Sequence, residues 1–270
     1  MKISFKITLT VLAGAMFLYV SCKKSATGST PDKAAPNNAE ISKQIALSLY
    51  HSLSAGVGSS NNGLKTNKTH GGLTTMDNTN KCGQVAVTPT NKTVVSGDTT
   101  RKYVGNSIFT YMCNGYFHNN WNIDAYTLSD TLKTTETGTG FVNNYNVILN
   151  YVVKSQDVNY SYVTVGGTTS ATSHTSKIKG GVTTEYHDWA TQYKLNNIVT
   201  KRLSNGTAVF TLGGADFTTT TTDKDTNTNV SDNYSGTIVF LPNNTVQVFL
   251  NSNSGHGYIV NLLTGEVTSF

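Results

Sequence analysis

Charge is what this chain has least of. Asp, Glu, Lys and Arg make up 13% of its 270 residues, about half the share of an average soluble domain. Its cations are scattered in pairs such as Arg101-Lys102, Lys177/Lys179 and Lys201-Arg202. No basic stripe with interleaved aromatics runs through it, so nucleic acid is not an expected partner. Cysteine occurs three times and proline four times. There is no C-x-x-C pair and no histidine spacing suited to a metal, and no cofactor is expected. No apolar run reaches the roughly twenty residues needed to span a bilayer as a helix.

Threonine and asparagine fill the space that charge leaves, at 43 and 29 residues. Thr favours strands and Asn favours turns, so the composition is that of an all-β protein with a weakly charged surface. Residues 81–270 are expected to form an antiparallel meander of about ten strands. A sheet of that size buries a face by curving, by closing partly into a barrel, or by folding over. A curved sheet or partly closed barrel is the first expectation and a β-sandwich the alternative.

The N-terminus carries a separate signal. Lys2 and Lys6 precede an uncharged apolar stretch, Ile7 to Val20. This basic start and short apolar region have the pattern of a secretory signal. The stretch ends as MFLYVSCKKS, residues 16–25. Cys22 has three readings: an ordinary cysteine after a general signal cut, a residue beside an uncleaved anchor, or a lipidation site. An A-x-A cleavage pattern is missing. Val20-Ser21-Cys22 instead resembles the lipobox of bacterial lipoproteins, in the looser S-C-K-K form of the Bacteroidetes type. Tyr19 stands where leucine is usual, and Leu18 lies one place early. The resemblance covers residues 1–24. It implies cleavage before Cys22, lipid on its thiol and new amino group, and a cell-envelope protein tethered to membrane. Several acyl chains at about 0.8 kcal/mol per buried methylene hold firmly. The residues after Cys22 lack an acidic run, which favours the outer membrane facing the periplasm over the cell surface.

On this reading residues 1–21 are the signal and 22–37 a tether. Residues 38–56 are an amphipathic helix: Asn38 can cap it, Glu40 lies in its first turn, and Gly56 can close it. Ile41, Ile45, Leu49 and Leu53 form its apolar stripe, facing the sheet. Residues 57–80 lack apolar periodicity and read as a flexible linker. Among the strands, Gln84–Thr88 and Tyr103–Cys113 come first. Val147, Leu149, Tyr151 and Val153 share one face of another. Gly213-Gly214 reads as a two-residue hairpin turn between 208–212 and 215–217. Pro242-Asn243-Asn244 reads as a turn before Val246, Val248 and Leu250. Tyr258, Val260 and Leu262 alternate before a turn at Thr264-Gly265. In an oxidising envelope Cys82 and Cys113 are most simply a disulfide; two free buried thiols are the alternative.

Chemistry is sparse. Glu185 and His187 would share a strand face, with Asp188 opposite, and could do acid–base work. No nucleophile motif accompanies them. Asp223, Asp225, Asn227 and Asn229 have calcium-loop spacing, but Thr228 and Tyr234 occupy the places of the required Gly and Glu. No metal site is therefore expected there. Tyr116, Phe117 and Trp121 lie in a Gly/Asn-rich stretch and could stack on a ligand. The functional expectation is a lipid-anchored envelope protein, a non-catalytic binding or structural module whose partner is an envelope protein, glycan or lipid. One alternative is a carrier of an apolar ligand in a half-open barrel with the helix as lid. Another is a hydrolase using Glu185 and His187.

Overall fold

The computed structural model describes residues 38–53, 82–113, 123–157, 161–202, 208–225, 228–252 and 256–270. Helix α1 spans Asn38–Leu53. Eleven strands follow: β1 (Val85–Ser96), β2 (Thr99–Met112), β3 (Ala125–Gly138), β4 (Phe141–Ser155), β5 (Tyr162–Lys179), β6 (Val182–Arg202), β7 (Ala208–Lys224), β8 (Asn229–Leu241), β9 (Thr245–Leu250), β10 (Gly257–Asn261) and β11 (Val267–Ser269). They form one antiparallel sheet in sequence order, and its two outermost strands, β1 and β11, do not pair with each other. The expected all-β meander with one helix is therefore present, as an open curved sheet.

The helix explains the curvature. Ile45, Leu49 and Leu53 are fully buried, and α1 touches β5 as well as β9, β10 and β11. One helix can reach strands that far apart in the order only if the sheet wraps around it. The Tyr193 hydroxyl on β6 donates to the Ile45 carbonyl at 2.8 Å. Phe210 and Phe240 pack beside Tyr50, which meets the Phe210 ring edge-on at 5.8 Å. Ile45, Leu49, Leu53, Val246, Val248 and Val260 belong to one apolar cluster, so side chains fill the space beneath the helix.

Alternation works as expected along most strands. Leu149, Tyr151 and Val153 are buried on one face of β4, the face opposed by Leu128 and Tyr126 of β3. Pro242-Asn243-Asn244 turns β8 into β9, with Asn243 and Asn244 at φ 65° and 55°, a conformation that Asn tolerates better than most residues. Gly213-Gly214 does not form the expected hairpin turn. Both glycines lie inside β7, which runs unbroken from Ala208 to Lys224. Opposite them, the pairing of β6 slips between Asn196 and Val199, and Asn197 has φ 48°. The two strands thus kink together, and bulges of this kind bend a sheet.

The first hairpin is also longer than its sequence suggested, running to a turn at Gly97-Asp98. Cys82 and Cys113 stand at its two outer ends and form a disulfide, with Cα atoms 5.5 Å apart. A closed loop of this length contributes about 3–4 kcal/mol in the chain-entropy model. Strand β1 is an edge. The Tyr111 amide donates to the Gln84 carbonyl, so even-numbered amides of β1 face β2. The missing N–H of Pro89 falls on the outward side, where a ladder loses nothing.

Candidate functional site

Directly opposed residues in an antiparallel sheet share a face, so the register defines rows of side chains crossing the strands. The inner face is the one that meets α1, since Tyr193 reaches the helix from it. Toward the other end of the same face runs a polar row: Arg101, Glu136, Asn143, Thr175, His187 and Asp223. Glu136 is 3% exposed. Its carboxylate accepts from Arg101 Nε at 2.7 Å and from Asn143 Nδ2 at 3.1 Å. The Arg101 guanidinium also places its terminal nitrogen 2.6 Å from the same Glu136 oxygen. Burying a carboxylate this deeply is costly without such partners. Farther along the row His187 Nδ1 lies 2.7 Å from Asp223 Oδ1.

Next to this row the inner face becomes aromatic, with Tyr103, Tyr145 and Trp189 all buried. Burial pushes the Tyr103 hydroxyl above its ordinary pKa, and the Glu136 charge adds to that while Arg101 opposes it. Closer to the helix Asp130 is also pushed upward by desolvation, against the opposing hydrogen bond from Ser107 Oγ at 2.9 Å.

The outer face is built differently. One row reads Lys133, Asn146, Thr172, Ala190, Thr220 and Asn233. Its neighbour reads Thr135, Asn144, His174, Asp188, Thr222 and Ser231. Hydroxyls donate along these rows to amide oxygens, Thr135 to Asn144 at 3.1 Å and Thr220 to Asn233 at 2.7 Å. His174 Nδ1 meets Asp188 Oδ1 at 2.5 Å. Two hollows of about 370 Å³ each lie on this face. The first crosses β3 to β7 over Lys133, Asn146, Thr172, Ala190 and Thr220. The second lies over Asn150, Ser170, Gln192, Lys194 and Asp216.

The sequence-derived candidates fall as follows. Cys22, Tyr116, Phe117 and Trp121 lie outside the described residues. Glu185 is drawn to Lys177, with Nζ 2.6 Å from Oε2, while His187 turns to Asp223; the register therefore directs the two to different partners. Neither lines the two hollows described above. Asp188 is not beside His187 on a face, but it pairs across the strand with His174, a histidine that looks isolated in sequence. In the loop with calcium-like spacing, Asp225 Oδ1 accepts from the Thr228 amide at 2.7 Å and Asp223 serves His187. Among the described residues no group of three or more His, Cys, Asp or Glu could hold a metal ion.

Sequence reading missed the Arg101–Glu136–Asn143 triad and both His–Asp pairs, because each joins residues 7 to 36 positions apart. Only the strand register makes them neighbours. Also among the described residues, no helix is long and apolar enough to cross a membrane. Comparison with known proteins finds no matching family model, no matching curated protein and no matching solved structure.

Proposed function

We propose that this protein is a lipid-anchored component of a bacterial cell envelope and that its β domain is a non-catalytic binding or structural module. The anchored half rests on Val20-Ser21-Cys22 behind a short apolar stretch. The fifteen residues from 23 to 37 have a contour of at most about 50 Å, which sets how far the domain can stand from the lipid.

One observation carries the non-catalytic half. Among the described residues Glu136, Glu185, His187 and His174, the groups in positions most suggestive of chemistry, are each held by the residue directly opposite: Arg101, Lys177, Asp223 and Asp188. These contacts join strand to strand. The filled space beneath α1 supports a helix that braces the sheet more than one that opens as a lid.

Detergent phase partitioning and mass spectrometry of the mature N-terminus test the anchor. Wild-type protein enters the detergent phase with an acylated Cys22 at its start, and Cys22→Ala enters the aqueous phase. A Cys22→Ala protein that stays with the membrane overturns the lipid reading.

A further inference from the structure

We infer that the two hollows of the outer face form one binding site for an acidic polysaccharide, a chain of uronic-acid type. This rests on reading the β domain as a binding module. The rows across β3 to β7 offer what a polyhydroxylated chain recognises, closely spaced hydroxyls and amides fixed on rigid strands. The amide oxygens of Asn144, Asn150 and Asn233 accept from Thr135, Ser129 and Thr220. That leaves as donors the amide nitrogens of Asn144 and Asn150, exposed residues that line the first and the second hollow. In the first hollow the Asn146 Oδ1 atom is buried and without a hydrogen-bond partner. An unmet buried acceptor is unfavourable, which favours a turn of the Asn146 amide outward into the hollow, where a ligand hydroxyl can donate to it. Farther along the same row Ala190, the smallest residue in it, deepens the hollow between Thr172 and Thr220.

Charge selects the class of sugar. The two outer rows carry no Phe, Tyr or Trp, and the rings beside the first hollow, His174 and Tyr186, pack on each other with centroids 5.4 Å apart, so the grip offered to a sugar is mainly polar. Lys133 at the first hollow and Lys194 at the second have no ion pair among the described residues. Asp188 is held by His174, and Asp216, the residue opposite Lys194, accepts from the Asn196 amide and forms no ion pair with that lysine; Lys133 is thus the cation of the site with no acid directly beside it. Three strand spacings of about 4.8 Å and two steps of about 6.8 Å separate the lysines, roughly 20 Å in all. That distance suits a chain carrying repeated carboxylates better than a single small anion.

Affinity electrophoresis of the full lipidated protein in detergent tests this, with alginate as the acidic probe and dextran as the neutral one. Alginate in the gel retards the wild type and dextran does not. Lys133→Gln weakens the retardation about tenfold, the effect of losing one charge-assisted hydrogen bond. Ala190→Glu, which fills the first hollow with a like charge, abolishes it. Lys179→Gln removes an equal charge at the β5–β6 turn and leaves it unchanged. Thermal melting of each variant within a degree or two of wild type shows that the sheet is intact. Absence of retardation by alginate overturns the proposal. So does equal retardation by dextran, or a loss with Lys179→Gln as large as with Lys133→Gln, which would mean ion exchange over the whole surface. Retention at the membrane is scored separately with Cys22→Ala, so loss of the anchor and loss of the polysaccharide site give different results.

Discussion

Replacing Gly213 with alanine tests whether the paired glycines of β7 are a kink or a turn. Gly213 has φ +93°, and a Cβ there would sit 2.4 Å from the Asn197 carbonyl oxygen and 2.6 Å from Ile198 Cα. Both are backbone atoms of the neighbouring strand, so no side chain can swing away. Left-handed backbone conformation costs an L-residue about 1–2 kcal/mol. Forcing an extra carbon into a packed site typically adds about 1–3 kcal/mol. Gly213→Ala should therefore lose about 2–5 kcal/mol, which in a domain of this size lowers the melting temperature by roughly 4–20 °C.

Two further variants isolate the cause. Gly181 has φ +79°, but a Cβ there would meet nothing within 4 Å; Gly181→Ala should show the conformational share alone, about 1–2 kcal/mol. Asparagine is welcome in a tight hairpin turn but meets the same Asn197 carbonyl in a kink. Gly213→Asn should therefore be as damaging as Gly213→Ala. Urea unfolding followed by tryptophan fluorescence reads all three. If Gly213→Asn stays within about 1 kcal/mol of wild type, the unbroken β7 strand is wrong and the hairpin reading returns.

The buried ion pair gives a second prediction: Arg101→Ala leaves the Glu136 carboxylate short of its main partner and costs about 3–5 kcal/mol, while Arg101→Met with Glu136→Leu costs far less. A double-mutant cycle by urea unfolding measures this, and purely additive losses would refute it. The third concerns Asp130, whose pKa is raised by desolvation. The folded state then binds the proton more tightly than the unfolded state, so wild type gains stability as pH falls through the raised folded pKa toward the unfolded one. Asp130→Asn lacks that gain. The gap in melting temperature between variant and wild type should therefore narrow or reverse in the wild type's favour between neutral pH and about pH 4; a constant gap refutes it.

Much of the sheet was legible because alternation is a local signal. Val147 through Val153 and Tyr258 through Leu262 announce their faces without reference to any other strand. Gly213-Gly214 was misread because its local chemistry is the same in a turn and in a kink. What separates the two is the slip at Asn196/Val199 on β6, which lies in another part of the chain. The candidate site was hidden for a related reason. Lys133, Asn146 and Ala190 say nothing individually, and they become one hollow only when three hairpins set their register.

Register is also where the scarcity of charge finds its physical meaning. A strand such as Thr218–Thr222 carries threonine on both faces, with Thr219 and Thr221 buried and Thr218 and Thr220 exposed. The hydrophobic pattern there does little to resist a one-residue slip, and slippage is the characteristic weakness of strands alike on both sides. Among the described residues two ion pairs and two His–Asp contacts link strands, and in each the two residues are direct register partners: Arg101 with Glu136, Lys177 with Glu185, His174 with Asp188, and His187 with Asp223. A one-residue slip would put members of a pair on opposite faces. The three exposed pairs contribute little to stability, about 0–1 kcal/mol each, whereas breaking the buried Arg101–Glu136 pair costs about 3–5 kcal/mol; a slipped register forfeits all four together. In the threonine-rich middle of the sheet the few charges thus select one alignment among near-equals, and that alignment is what builds both the inner polar row and the outer hollows.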